Sequence, residues 1–115
     1  TVANFCMLAK QNFYNGIIFH RVVPGFVIQA GDPTATGWGG PGYDIISEYS
    51  DTDFGTGYVG MASAGKDTES SQFFIMQGSH PHLDCRYTLF AKVIKGMDVV
   101  YNITEEDKII SIKLK

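Results

Sequence analysis

Phe19-His20-Arg21-Val22-Val23-Pro24-Gly25-Phe26-Val27-Ile28-Gln29-Ala30 consists of two β-branched and aromatic runs split by a Pro-Gly pair. Such runs suit the pleated, half-buried surface of a strand, and Pro-Gly ends one run before the next begins. The first strand is expected over 17–23 and the second over 26–30. This places Arg21 and Gln29 on adjacent strands. A strand arginine among apolar neighbours can snorkel to water or pair with an acid, and it can equally serve a ligand; the residues leave these open. Phe26, Met61, Phe74 and Leu83 are candidates for an apolar pocket beside it. Aromatic walls with one fixed cation and one amide suit a small apolar ligand that carries a polarisable amide.

Outward from this pair, Thr1 is placed as N-cap of a helix over 2–10, with Val2, Phe5, Cys6 and Ala9 expected on its core-facing stripe. Residues 31–42 form a loop with five glycines and two prolines, and residues 43–57 read as irregular. Further strands are expected over 58–63, 72–77 and 88–94, and a short helix over 97–103. At the end, Ile110, Ile112 and Leu114 alternate with Ile109, Ser111 and Lys113, the period of a strand over 108–114. Short strands at regular spacing with two helices point to a barrel or sandwich with helical caps.

The chain has 115 residues, enough for one domain, and its 44% hydrophobic and 13% aromatic content supplies a core. Nine lysines and arginines against twelve acids give a net charge of −3. Without a basic run, nucleic acid is an unsuitable partner. No apolar stretch approaches the roughly 20 residues of a membrane span. Cys6 and Cys85 make no disulfide framework and read as idle thiols of a reducing, cytoplasmic compartment.

Several formal motifs fail on context. Gly37 to Gly42 matches GxGxxG, but no helical stripe follows and there is no second βαβ half. Gly60 to Lys66 approaches a phosphate loop, yet Asp67 stands where a hydroxyl would hold magnesium and a strand follows instead of a helix. His80 and His82 lack an evident third metal ligand. Ser70, Ser71, His20 and Asp84 have the residue types of a hydrolase without its Gly-x-Ser-x-Gly elbow. Asp51 and Asp53 lack the further ligand and glycine of an EF-hand loop.

The surviving residues resemble the cyclophilin family of peptidyl-prolyl isomerases. The resemblance is carried by Phe19 to Asp32, by Gly60-Met61-Ala62-Ser63-Ala64-Gly65, by Ser71-Gln72-Phe73-Phe74-Ile75, and by Leu83-Asp84 with Tyr87 to Val93. It implies a mainly β fold, an antiparallel barrel capped by two helices, with residues 1–115 as a single domain. Family members begin with a strand pair ahead of the helix that starts here at Val2. Without that pair the strand over 108–114 lacks a partner and the barrel has an open edge. The chain is accordingly read as a piece of a longer one or as lacking its first segment.

Carried over by motif, Arg21 matches the catalytic arginine. Phe26, Met61, Phe74 and Leu83 match the proline pocket, and Gln29 the amide that holds the substrate backbone. Ala62 and Ser63 join the substrate-binding set, Ser63 standing where the family often has Asn. Ala64 and Gln72 line a neighbouring groove. His82 stands where many members have Trp and Tyr87 where many have His, as in bacterial-type and other divergent members. The resemblance implies isomerisation of X-Pro bonds in peptides and proteins without cofactor or metal. The alternative is a proline-binding module with little or no turnover. It also implies binding of cyclosporin-type cyclic peptides, weakened at His82. His82→Trp is therefore expected to tighten inhibitor binding by about 1–3 kcal/mol with peptide turnover little changed. Calorimetric titration of both proteins checks this, and equal affinities would mean that the rest of the groove sets inhibitor binding.

Overall fold

The computed structural model describes residues 1–50, 52, 54–80 and 86–115. Val2–Lys10 forms α1, as expected. Its core-facing line runs through Leu8 and Ala9, both buried, and Phe5, half-buried and packed against the same core, the i, i+3, i+4 spacing of such a helix. The expected stripe is corrected at two positions. Cys6 lies about 100° round the helix from Phe5 and is half-buried, and Val2, in the first turn, is 57% exposed.

Five short strands follow: β1 (Arg21–Val23), β2 (Val27–Ala30), β3 (Tyr58–Met61), β4 (Phe73–Met76) and β5 (Leu89–Lys92), and then α2 (Met97–Asn102). They pair antiparallel in the order β1-β2-β4-β3-β5. The mainly β architecture with two helices is that expected from the sequence, but the sheet stays open, with β1 and β5 as edges. No helix among the described residues is long and apolar enough to cross a membrane.

The link from β1 to β2 is a tight turn in which the Phe26 N–H donates to the Val23 carbonyl at 2.9 Å. Pro24 occupies its second position, and Gly25 takes the left-handed φ of 78° that its third position demands in a type II turn. Gln77 clamps this turn: its Oε1 accepts from the Gly25 N–H at 3.0 Å, and its Nε2 donates to the Val100 carbonyl of α2 at 3.0 Å.

Both ends of the expected pattern are shorter than the sequence suggests. Residues 17–19 pair with the C-terminal segment instead of extending β1: the Phe19 N–H donates to the Asp107 carbonyl and the Ile109 N–H to the Ile17 carbonyl, each at 2.9 Å. The strand expected over 108–114 reduces to a single bridge between Ile18 and Lys108. Ile109 is buried, whereas Ile110 is 87% exposed. Period two makes a strand only where a neighbour supplies a ladder, and among the described residues none runs beside 110–115.

The sheet separates two apolar clusters. One face carries Ile28, Ala30, Val59, Met61 and Phe73, packed with Leu8, Tyr14, Phe19 and Val100. The other, smaller cluster holds Val27, Phe54, Phe74 and Met76. Behind the strands, Glu69 is buried and accepts hydrogen bonds from Ser47 Oγ and Thr88 Oγ1 at 2.8 and 2.9 Å. It thereby ties residues 45–48 to the start of β5 beneath the segment 62–70.

A tighter junction joins the turn after α1 to the strand ends. Tyr14 Oη donates to the Ser71 carbonyl at 2.9 Å, and Ser71 Oγ donates to the Gly31 carbonyl at 2.6 Å, all buried. Gly31 has a φ of 103°, and a Cβ there would stand 2.4 Å from the Ser71 carbonyl oxygen. Both backbone strain and a backbone clash oppose any side chain. Gly31→Ala is expected to cost about 3 kcal/mol or more in urea denaturation; a loss below about 1 kcal/mol would show that the junction yields easily.

Candidate functional site

Residues that stand opposite one another in antiparallel strands project to the same face. The register sets Arg21 opposite Gln29, Gln29 opposite Phe74 and Phe74 opposite Gly60. A guanidinium, an amide and a phenyl ring thus form one row, ending over a strand position without a side chain. A Cβ on Gly60 would lie 2.5 Å from Phe74 Cζ and 2.8 Å from Phe54 Cε1. The missing side chain is the space those rings use. Phe54 lies tilted against Phe74 at 5.6 Å between centroids, and Tyr87 meets Phe74 edge-on at 5.8 Å.

A cavity of about 460 Å³ opens over this row, walled by Arg21, Phe26, Val27, Gln29, Phe74 and Tyr87, with Ala62 and Ser63 on its margin. Arg21 is exposed and pairs with no carboxylate among the described residues. Its Cζ sits 5.7 Å from the centre of the Phe26 ring, a cation–π distance that steadies the guanidinium while leaving its N–H groups free to donate. Beside it, neither ring nitrogen of His20 has a hydrogen-bond partner among the described residues. Burial lowers the His20 pKa, with Arg21 adding to the effect and Asp32 and Glu105 opposing it.

The far rim is the loop after β2, and Asp32 shapes it. Asp32 is buried; its Oδ1 accepts from the Thr34 N–H and hydroxyl at 2.8 and 2.7 Å, its Oδ2 from the Thr36 and Gly37 N–H groups at 2.9 and 2.6 Å. The loop so folded presents Ala35, Thr36 and Gly37 to the cavity. Gln72 holds it from below, its Nε2 donating to the carbonyls of Gly37 and Gly39 at 2.9 and 3.1 Å. Gln29 Nε2 donates in turn to Gln72 Oε1 at 3.0 Å, which fixes the plane of the Gln29 amide.

The structure brings Arg21, Phe26, Gln29, Ala62, Ser63, Phe74 and Tyr87 together at one cavity. Ala64 and Gln72 line a neighbouring groove of about 460 Å³ together with Asp44 and Trp38, whose side chain is 86% exposed. Met61 is a correction. It stands opposite Phe73, on the other face of the sheet, and is fully buried in the larger core. Val27, two residues from Gln29 and therefore on its face, provides the apolar wall instead. The sequence singles out His20 only as a hydrolase residue type, whereas its place is beside Arg21 at this cavity; period two from Gln29 finds Val27, and Thr36 and Phe54 depend on tertiary packing. His82 and Leu83 lie outside the described residues.

The profile of the family described as cyclophilin type peptidyl-prolyl cis-trans isomerase/CLD matches residues 1–112. The chain belongs to this family. It is 49% identical over 109 residues to peptidyl-prolyl cis-trans isomerase B of Bacillus subtilis, covering 93% of this chain and 76% of that relative. Over 106 residues it is 47% identical to the human peptidyl-prolyl cis-trans isomerase-like 3, covering 87% of this chain and 65% of that one. A crystal structure of a Cryptosporidium parvum cyclophilin type peptidyl-prolyl cis-trans isomerase superposes with a TM-score of 0.82 at 37% identity, covering 88% of this chain and 69% of that one. A second structure of the Cryptosporidium parvum protein was solved in the presence of the dipeptide Ala-Pro. The activity of this cyclophilin is peptidyl-prolyl cis-trans isomerisation.

Asp32 gives the cyclophilin site a measurable acid sensitivity. Burial opposes the charged carboxylate, but hydrogen bonds from Thr34, Gly39 and Gly37 outweigh it and hold the carboxyl well below the usual carboxylate range. A folded pKa below the unfolded one contributes stability that is present above the unfolded value, about 4, and is lost as the pH falls. Wild-type Tm should therefore begin to drop below about pH 5 and go on dropping below about pH 3, and Asp32→Asn should be less stable near neutrality with a shallower acid fall. Parallel acid slopes for the two proteins would place the proton uptake elsewhere.

Proposed function

We propose that residues 1–115 act as one isomerase domain in which Arg21 is the catalytic residue. Rotation about an X-Pro bond must cross a barrier of about 18–20 kcal/mol because twisting removes amide resonance. No covalent bond is made or broken, so no nucleophile is needed. The species to stabilise is a twisted amide whose nitrogen has become pyramidal and basic. A guanidinium donating to that nitrogen binds the twisted state more tightly than the planar one, and this difference lowers the barrier. The observation that carries the reading is the cross-strand row: Arg21, braced on Phe26 and paired with no carboxylate among the described residues, stands beside Gln29 and Phe74 on one face.

In this reading the proline ring enters between Phe26, Val27, Phe74 and Tyr87, where apolar walls exclude water and strengthen the Arg21 hydrogen bond. Gln29, oriented by Gln72, receives the flanking backbone. Ala62 and Ser63 border the same cavity, Ala64 and Gln72 the groove beside it. His82 and Leu83 complete the proposed substrate surface on the strength of the sequence resemblance alone. Cyclosporin-type cyclic peptides are proposed ligands of the same surface. A reducing, cytoplasmic setting belongs to this reading too, supported by Cys6, a free thiol on α1.

Arg21→Ala should lower turnover of a proline peptide by about 100-fold or more while leaving its ground-state affinity nearly unchanged, because the planar amide nitrogen accepts poorly. Arg21→Lys should recover part of the rate, lacking the fixed fork. Phe74→Ala should instead weaken ground-state binding. Exchange NMR for rate and titration for affinity separate these effects. An Arg21→Ala rate within a few-fold of wild type would refute the mechanism, and binding without turnover in the wild type would favour a proline-binding module.

A further inference from the structure

A second hollow, of about 350 Å³, opens beside the proline cavity and shares Arg21, Phe26, Ser63 and Tyr87 with it. Its other walls bring Lys66 and Arg86 to the same space, next to Tyr49. Three of the nine lysines and arginines thus surround one hollow of a protein whose net charge is −3. Among the described residues no carboxylate pairs with any of the three. Opposite charges usually intersperse on a surface; grouped cations without acids raise the local potential and concentrate anions. The groove on the other side of the cavity has the reverse character, with Asp44 and no lysine or arginine in its lining. The cleft is therefore electrically polarised along its length, cationic past Arg21 and acidic past Gln29.

We propose that the hollow between Lys66 and Arg86 is a subsite for an anionic side chain, a carboxylate or a phosphate monoester, carried by the substrate a few residues from its proline. The proposal rests on the isomerase reading, which seats the proline in the adjoining cavity. A guanidinium fork and an ammonium from separate segments suit carboxylate and phosphate oxygens, which accept several charge-assisted hydrogen bonds at once. The contact does not change as the amide twists, so it acts equally on the planar and twisted states. Its signature is a lower KM at constant kcat.

The test uses proline peptides identical except for one residue, Glu, Gln, Lys or phosphoserine, placed either second before or second after the proline. At one of the two placements Glu should lower KM about three- to tenfold relative to Gln, the range that two solvent-exposed ion pairs supply. Lys should raise it, kcat should stay constant, and the preference should shrink with added salt. A gain for phosphoserine beyond Glu assigns the site to phosphate, and equal gains assign it to anions generally. Lys66→Ala combined with Arg86→Ala should erase the preference while leaving turnover of the Gln peptides unchanged. Equal KM for Glu and Gln at both placements, or a preference that survives loss of both cations, overturns the proposal. Direct titration of the same peptides reads the subsite even without turnover, so failure of the isomerase reading is a separate result.

Discussion

Antiparallel pairing sets Arg21 opposite Gln29, Gln29 opposite Phe74 and Phe74 opposite Gly60, and the site exists only in that register. A slip of one residue in any ladder would send its contribution to the opposite face. The register is held from behind by packing unrelated to the ligand. Ile28, Ile75 and Val59 face the larger core in the alternate row, together with Leu8, Tyr14 and Phe73 from outside that row. Hydrophobic burial on one side thus aligns polar chemistry on the other. The short strands, three or four residues each, suffice because every residue is used by one face or the other.

A second tier turns that row into a cleft. Asp32 folds the loop after β2 around its own carboxylate, and Gln72 pins the loop's carbonyls while orienting Gln29. These are buried or half-buried hydrogen bonds with satisfied partners, the kind that specify one geometry and resist loosening. Arg21 is treated differently. Among the described residues it pairs with no carboxylate, and at its edge strand it rests on an aromatic face that leaves its N–H groups free to donate. A scaffold rigid around a single free donor suits a reaction in which the only thing that changes is the shape of an amide.

Much of this was legible in the residues. Pro24-Gly25 between two β-branched runs has one economical reading, and the turn formed as its chemistry dictates. Arg21, Gln29 and Phe74 were found because they sit in strands whose identity is plain. Met61 was misplaced because its strand is legible but its face is not: Gly60, just before it, carries no side chain to reveal the alternation, and only the pairing with β4 settles it. Val27 is legible by period two from Gln29 in the same strand. The C-terminal alternation was read as a strand because periodicity records the side chains but not whether a neighbour is there to pair. Phe54 reaches the site through packing between distant segments, for which a single sequence holds no signal.

Trp38, standing at the mouth of the groove beside Gln72 and Asp44, is the sole tryptophan of the chain. Its indole is largely in water, and no second indole lies in the core to mask it. The protein therefore carries a built-in optical probe. Any ligand that covers that groove changes the polarity around the indole and with it the colour and intensity of its emission. A molecule confined to the proline cavity leaves that environment wet. Fluorescence of the unmodified protein can thus tell which half of the cleft is occupied.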